Sequence, residues 1–526
     1  MNVRFEVSNL LSKALASPSS IATKRVFNAA LAMYDGTGAA QPYLAEALPR
    51  LNTDTWRVFP DGRMETTYRL KPNLTWHDGT PLSSEDFAFA FRVYSSPNPN
   101  LRVFAPKPQD VISEISTPDA RTLVISWTSL YPDAGAIVTD DLDPLPRHFM
   151  EAPFLVIDQG AEGLDAFLNS TYWTAKFVGV GPYKLEHWEP GAHIDGLAFD
   201  GHALGRPRID RIIIRPLNDE TANLTSMLAG SSQVSVEGLR FEHGAILKKE
   251  WTSGSVIDKP GSRHYLVAQF KPDYLKIPAL MDVRVRKAIA HGIDRETLNE
   301  VLFDRQGFMT ETFIAPQMSY YPDIDRAITK YPYDARRAEQ LMTEAGFSKD
   351  RDGLFASAAG ERFRPDFWED ASVIYEREGQ IMADSWARVG FDTRQFIIPA
   401  AQAGDSEFRA TFPALYASSV NVEERRISIF TASELATAAN RWRGGNRFGW
   451  TNPDYERFWD GYNSKLDRSE RNQQIVQMMK VLSDEVPAWG LYFNTVSVAV
   501  ASGLTGPSQD TPESLLIWNL HLWEMK

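Results

Sequence analysis

Tyr68-Arg69-Leu70-Lys71-Pro72-Asn73-Leu74-Thr75-Trp76-His77-Asp78-Gly79-Thr80-Pro81-Leu82-Ser83-Ser84-Glu85-Asp86-Phe87 reads as a strand, a tight turn and a capped helix. Thr66 to Leu70 is β-prone and stops at Pro72, which has no N–H to give to a ladder. Asp78-Gly79 is a turn pair. Ser83, with Asp86 three residues on, has the spacing of a capping box. Phe87, Phe91 and Tyr94 then recur at helical spacing. No titratable pair here points to chemistry, so His77 and Asp78 are expected to be turn structure.

Outward from this stretch, strand and helix signals alternate. Ile212-Ile213-Ile214 is a buried-strand pattern, and the next helix has Asp219 as its cap, Leu224, Met227 and Leu228 on one face and Gly230 at its end. Asp282 opens a helix with Val285, Ala288, Ile289 and Ile293. Asp334 caps another, with Ala338, Leu341, Met342 and Ala345 on one face and Gly346 as its stop. Ile374, Ile381, Met382, Trp386 and Val389 continue the pattern to Gly390, and Ile475, Met478, Met479 and Leu482 form a late helix ended by Pro487. Strand-like segments fall at Thr122–Trp127, Tyr183–Trp188, His264–Phe270, Arg394–Ile398 and Val496–Ala501. No repeat or low-complexity segment interrupts them, which predicts an α/β or α+β arrangement.

The chain has 526 residues, too many for one core, so two or three domains are expected. A formal net charge of −13 argues against nucleic acid, which needs a basic face. The absence of cysteine removes disulfides, zinc–thiolate sites and cysteine nucleophiles. Fourteen Trp and 12% aromatics suit both cores and ligand clefts. No apolar run approaches the roughly 20 residues that span a bilayer. The first residues, Met1 to Val7, lack the apolar run of a secretory signal, so an exported form is expected to have lost its signal; the alternative is a cytoplasmic protein. His187 and His193, six residues apart near a strand, do not have the spacing of a metal signature, and no metal or cofactor is expected. Asp140-Asp141 and Glu423-Glu424 are expected to be solvated surface charge.

Several segments carry a resemblance. They are the opening stretch, Pro42-x-Leu44-Ala45-Glu46, Gly179-Val180-Gly181-Pro182-Tyr183 and Asp282-Val283-Arg284 through Ile293-Asp294-Arg295. Tyr333-Asp334 through Ala345-Gly346-Phe347, Asn452-Pro453-Asp454-Tyr455 and Asp484-Glu485-Val486-Pro487 complete the series. The glycine segment lacks the spacing of a dinucleotide fingerprint, and no helix follows it. Each is weak alone, but in this order over most of the chain they resemble the family 5 solute-binding proteins of bacterial ABC importers, which take up peptides, nickel and related solutes.

The resemblance implies an α/β, periplasmic-binding-protein-like fold of type II, in its large form with two lobes and an inserted N-terminal domain. Lobe I would be about 1–44, 177–262 and 494–526, the inserted domain about 45–176, and lobe II about 263–493. It implies a periplasmic, monomeric receptor that closes on a small or peptide-like solute and delivers it to an ABC permease in the membrane, with no catalytic residue. A periplasmic hydrolase or a ligand sensor without transport are the alternatives on the same fold; a hydrolase would need two acids converging in a pocket, one with a raised pKa.

Peptide-binding members carry an aspartate late in lobe II that pairs with the peptide amine. The corresponding stretch here, Ala414 to Val422, has none, which leaves Glu423 or Glu424 to serve or the solute to be something else. Tyr416, Ser418 and Asn421 are candidate contacts by position within the resemblance. The loop Asn440-Arg441-Trp442-Arg443-Gly444-Gly445-Asn446-Arg447 puts two arginines around a tryptophan. Arginine forks grip carboxylate or phosphate and Trp stacks on rings, so Arg441, Trp442 and Arg443 are candidates for an anionic or sugar-bearing solute. Tyr34 is the candidate from lobe I.

Overall fold

The computed structural model describes residues 1–7, 9–10, 21–98, 101, 108–511 and 515–526. Backbone packing divides them into two compact units, 1–259 with 496–526, and 260–495. The chain passes between them twice, each time inside a strand: Gly254–Ala268 on the way out and Ala488–Ala501 on the way back.

Two larger sheets organise the first unit, beside the short pairings Ala32–Tyr34 with Ala40–Pro42 and Leu504–Thr505 with Glu524–Met525. In one, Asn2–Val3 lies parallel to both Arg211–Pro216 and Val234–Arg240, and His193–Ala198 and Tyr183–Glu189 extend the sheet antiparallel beyond Arg211–Pro216. The returning strand pairs antiparallel with Val234–Arg240 on its other side, with Val234 opposite Val500. The second sheet is antiparallel, in the order Trp56–Val58, Met64–Arg69, Thr122–Trp127, Ile112–Asp119. Its strand Met64–Arg69 leads into the expected turn and helix, Ser84–Tyr94. The capping box forms: the Ser83 N–H donates to Asp86 Oδ2 at 2.8 Å.

His77 does more than turn the chain. Its backbone N–H donates to the Gly179 carbonyl at 2.9 Å, its Nε2–H to the Gly181 carbonyl at 3.0 Å, and its Nδ1 accepts the Gly179 N–H at 3.1 Å. The Trp76-His77-Asp78-Gly79 turn is thereby clamped to the Gly179-Val180-Gly181-Pro182 strand entry. Both ring nitrogens are used, which requires the neutral ring. Burial pushes the His77 imidazole down to about 4, and does the same to His202, whose Nδ1–H donates to Gly205 O while Nε2 accepts from the Tyr43 hydroxyl.

A histidine held neutral in the fold but free to protonate when unfolded gives stability that is complete above about pH 6.5 and is lost as the pH falls towards 4. Each such ring costs up to about 1.4 kcal/mol per pH unit in that window. The buried acids Asp86 and Asp143, raised by desolvation, pull the other way. The difference between proteins isolates the histidines: His202→Gln should show a shallower loss of urea resistance between pH 6.5 and 4 than the parent. Equal slopes in the two would refute this origin.

The second unit is built on a mixed sheet. Arg394–Ile398 and Asp366–Asp370 run parallel, Leu415–Val420 runs parallel to the latter, and Arg263 to Ala268 pairs antiparallel with Leu415–Val420. Aromatic side chains dominate its core, among them Tyr265, Phe313, Phe412, Tyr416, Phe430, Phe448, Trp450, Tyr455 and Tyr462. The helix expected from Asp282 forms, and a second one follows it directly. Val283–His291 ends at Gly292, and Asp294 caps Arg295–Phe303 by accepting from Thr297 N at 3.0 Å. Arg295 donates to Gly490 O at 2.8 Å, and Arg286 to the carbonyls of Leu280 and Glu485 at 2.7 and 2.8 Å. Arg286 thus satisfies the carbonyl end of the helix Arg468–Glu485. Arg286 and Arg295 are internal braces, while Arg284 stays at the surface beside Asp282.

Glu424 corrects the expectation of surface charge. Its carboxylate is 4% exposed and accepts from the hydroxyls of Tyr320 and Tyr462, the latter at 2.6 Å, and from Arg468 at 2.7 Å. A carboxylate filled by three donors is not free to anchor an amine. Its neighbour Glu423 is exposed beside Arg426 at 3.3 Å. Asp140 is half-buried and lies 3.8 Å from Lys24, so it too is not simply solvated.

Candidate functional site

Strand Leu415–Val420 places alternate side chains on one face of the second sheet. Tyr416 and Ser418 share that face, opposite Val267 and Tyr265 of the neighbouring strand. Tyr416 is buried, accepts from Arg409 Nε at 2.8 Å, and donates to Asp370 Oδ1 at 3.3 Å. Arg409 in turn pairs with Asp370 at 2.8 Å. Burial raises the Tyr416 phenol to about 12, so it stays a neutral donor. Tyr265 bonds Ser418. Asn421 is exposed, and its carbonyl serves the fold by accepting from the buried Arg263 at 3.1 Å.

Arg447 is the feature that sequence reasoning passed over. It is half-buried, its charge bears on the phenols of both Tyr265 and Tyr416, and its Nε is buried without a hydrogen-bond partner. Among the described residues no carboxylate pairs with it. Arg409 has spent its charge on Asp370; Arg447 has not.

A second cation lies on the same loop system. Lys271 Nζ donates to Ala436 O at 2.8 Å and sits 5.2 Å from the centre of the Trp442 ring. Burial pushes its ammonium down to about 8. Trp442 also packs edge-on against Tyr274, with centroids 6.1 Å apart. The loop that carries Trp442 is held from below by Asn446, fully buried, which donates to Trp450 O at 2.7 Å and accepts from Gly449 N at 2.9 Å. Gly444 packs so closely that a Cβ would lie 2.3 Å from Glu434 O. Arg441 and Trp442 both take left-handed backbone angles, φ 56° and 59°. Two such residues in succession cost of order 1–3 kcal/mol each and persist only where the surroundings impose them. Arg441 and Arg443 are exposed. Tyr34 lies in the other unit, at the end of strand Ala32–Tyr34 paired with Ala40–Pro42.

Another polar cluster of the second unit lies around Glu378 and Glu369. Glu378 accepts from His264 Nε2 at 2.9 Å and from the Tyr492 hydroxyl, while Glu369 accepts from Gln395 at 2.6 Å. Burial, then the neighbouring Glu378, raises the Glu369 carboxyl to about 9, so it is protonated at neutral pH. Both carboxyl groups have zero solvent exposure.

The profile of the bacterial extracellular solute-binding proteins, family 5, matches residues 46–431, well over half of the chain. The chain belongs to this family. Among family 5 relatives, the dipeptide-binding protein of Escherichia coli is 24% identical over 487 residues, 88% of this chain and 83% of that protein. An ABC transporter peptide-binding protein of Brucella ovis is 24% identical over 301 residues, 56% of this chain and 51% of that protein, so the chain matches about half the length of such relatives.

Solved structures of the same fold include NikZ of Campylobacter jejuni in complex with Ni(L-His), with a TM-score of 0.75 at 17% identity, covering 99% of this chain and 98% of that one. The oligopeptide-binding protein of Thermus thermophilus with a pentapeptide gives 0.72 at 22% identity, covering 100% and 96%. The expected periplasmic-binding-protein-like fold is therefore the observed one. Relatives in this family are binding proteins, and in this chain no described helix is long and apolar enough to cross a membrane.

Proposed function

We propose that this protein is the extracytoplasmic receptor of an ABC importer and that its solute carries a carboxylate or phosphate, gripped by Arg447 beside Tyr416 and Ser418. The observation that carries the reading is the unpaired, half-buried Arg447. Holding a guanidinium out of water without a counter-charge is costly unless a ligand supplies one. A bidentate anion does so with the strongest geometry available to arginine. Trp442, seated on Lys271, offers a ring face to the apolar or planar part of the solute. Arg441, Arg443, Asn421 and Tyr34 are lesser contacts in this reading.

Family membership supports capture by hinge closure, in which a solute favours the closed form and shifts the population towards it before delivery to a permease. A periplasmic, monomeric protein, with unit 1 divided into a lobe and an inserted domain of about 45–176, completes the reading. We read the protein as a binder and not as a hydrolase. In the second unit, the acids Glu369 and Glu378, the first of them raised by burial, are sealed from solvent, so a substrate has no path to them.

The test begins with mass spectrometry of compounds released from denatured protein, supported by a thermal-shift screen of dipeptides, opines, sugar phosphates and metal chelates. With the compound found, calorimetric titration should show Arg447→Ala and Trp442→Ala weakening binding by about 10- to 100-fold, in keeping with the loss of a hydrogen bond to a charged group or of an aromatic contact. The melting temperature of the empty protein should change by less than about 3 °C, as for substitutions that leave the core intact. Unaltered affinity in Arg447→Ala would remove the anionic anchor.

A further inference from the structure

We propose that the β-hairpin formed by Tyr183–Glu189 and His193–Ala198 binds one divalent first-row transition-metal ion through His187, Glu189 and His193, a site separate from the solute site and independent of that reading. The six-residue interval between the histidines gives no metal signature along the chain. The hairpin changes the geometry. Its register sets Glu189 opposite His193 and His187 opposite Asp195, so all four side chains share one face at the turn end of the ladder. The ligand atoms of His187, Glu189 and His193 lie within 4.8 Å of one another. A tetrahedral ion at about 2.0–2.2 Å from each ligand needs them roughly 3.4 Å apart. Rotation of exposed side chains closes that difference.

Asp195 provides the second, independent observation. It is 5% exposed, and its Oδ1 is buried without a hydrogen bond. That oxygen lies 3.7 Å from His193 Nε2, while His193 Nδ1 faces Glu189 Oε2 at 3.8 Å. Metal-binding histidines characteristically donate their second ring N–H to a carboxylate, which fixes the ring and raises its basicity. Asp195 occupies that position: Nε2–H directed at Oδ1 leaves Nδ1 free to meet an ion beside Glu189 and His187. The nearby cation does not oppose this, because Arg211 is already neutralised by Asp195 Oδ2 and by Glu186 at 3.0 Å. The turn is also anchored from outside, as Gly191 N donates to Glu6 at 3.0 Å. Two imidazoles and one carboxylate suit zinc, nickel, cobalt or copper, and not magnesium or calcium, which favour oxygen. The fourth position is left to water. An ion there would cross-link the two strands next to their turn and stiffen this edge of the sheet.

The experiment is titration of Zn(II) into the whole, untagged, chelator-stripped protein by calorimetry, repeated with Co(II) followed by its visible spectrum. One equivalent should bind, and Co(II) should give the intense absorption of a four-coordinate site. His187→Ala/His193→Ala, which alters two side chains at the surface, should remove that equivalent while leaving the melting temperature of the metal-free protein unchanged. Asp195→Asn should retain the site but weaken it about 10- to 100-fold, an effect expected of a group that orients a ligand. Solute binding measured in the presence of chelator should be the same in the double variant and the parent, which keeps this test apart from that of the solute site. No saturable zinc binding in the parent, or an unchanged equivalent in the double variant, would overturn the proposal.

Discussion

Alanine in place of Gly181 should destabilise the first unit by about 3 kcal/mol, the upper part of the range for overpacking a closed site. The added Cβ would lie 2.4 Å from Phe27 C and 2.5 Å from Asn28 N. Both are backbone atoms, so no side chain can rotate away. The chain at Phe27 is itself bound, since Gly181 N–H donates to Phe27 O at 3.0 Å. Relief by moving the strand entry would break that bond and pull the Gly181 carbonyl from His77 Nε2–H. Calorimetry should show the transition of the first unit falling by about 6 to 12 °C, the shift that 3 kcal/mol produces in a body of this size. A fall of less than about 2 °C would mean that the strand entry has slack the structure does not show.

Glu424→Ala should cost a similar amount, about 3 kcal/mol, in the second unit. Two buried hydroxyls, those of Tyr320 and Tyr462, lose their acceptor, at about 1–3 kcal/mol for each group left unsatisfied. Arg468 adds little, because its half-exposed guanidinium returns to water. Tyr462→Phe alone removes one donor and should cost about 1 kcal/mol. The two changes should couple by at least 0.5 kcal/mol in a double-mutant cycle followed by urea unfolding. Additive effects would show that Glu424 and Tyr462 act separately, against the geometry.

These residues show where sequence reasoning reached and where it stopped. Local devices were legible: the Ser83–Asp86 capping box and the Asp219 and Asp334 caps lie within a few residues of their partners, and the strand Thr122–Trp127 shows in its own β-prone composition. Long-range partnerships were not. His77 looked like a turn residue because the groups it clamps, Gly179 and Gly181, lie about a hundred positions later. Glu424 looked like surface charge beside Glu423, since nothing local tells which of two adjacent acids turns inward. The strand Gly254–Ala268 begins ten residues before its expected start, because Lys259-Pro260-Gly261 reads as a break yet runs on in strand. The segments that carry the family resemblance proved to be caps, braces and clamps, and so identified the fold without identifying the solute. Arg447 lacked any signal of its own. Only its burial without a counter-charge sets it apart from the exposed Arg441 and Arg443 on the same loop.

The central claim is that the protein holds an anionic small molecule at Arg447 and returns it unaltered. The most direct test is quantitative mass spectrometry of what denaturation releases from protein purified from its native cells, alongside the Arg447→Glu variant prepared in the same way. One equivalent of a carboxylate- or phosphate-bearing compound, stable on re-incubation with the protein and missing from the variant, is the predicted result. An uncharged or cationic compound retained equally by both proteins, or a compound consumed on re-incubation, would contradict it.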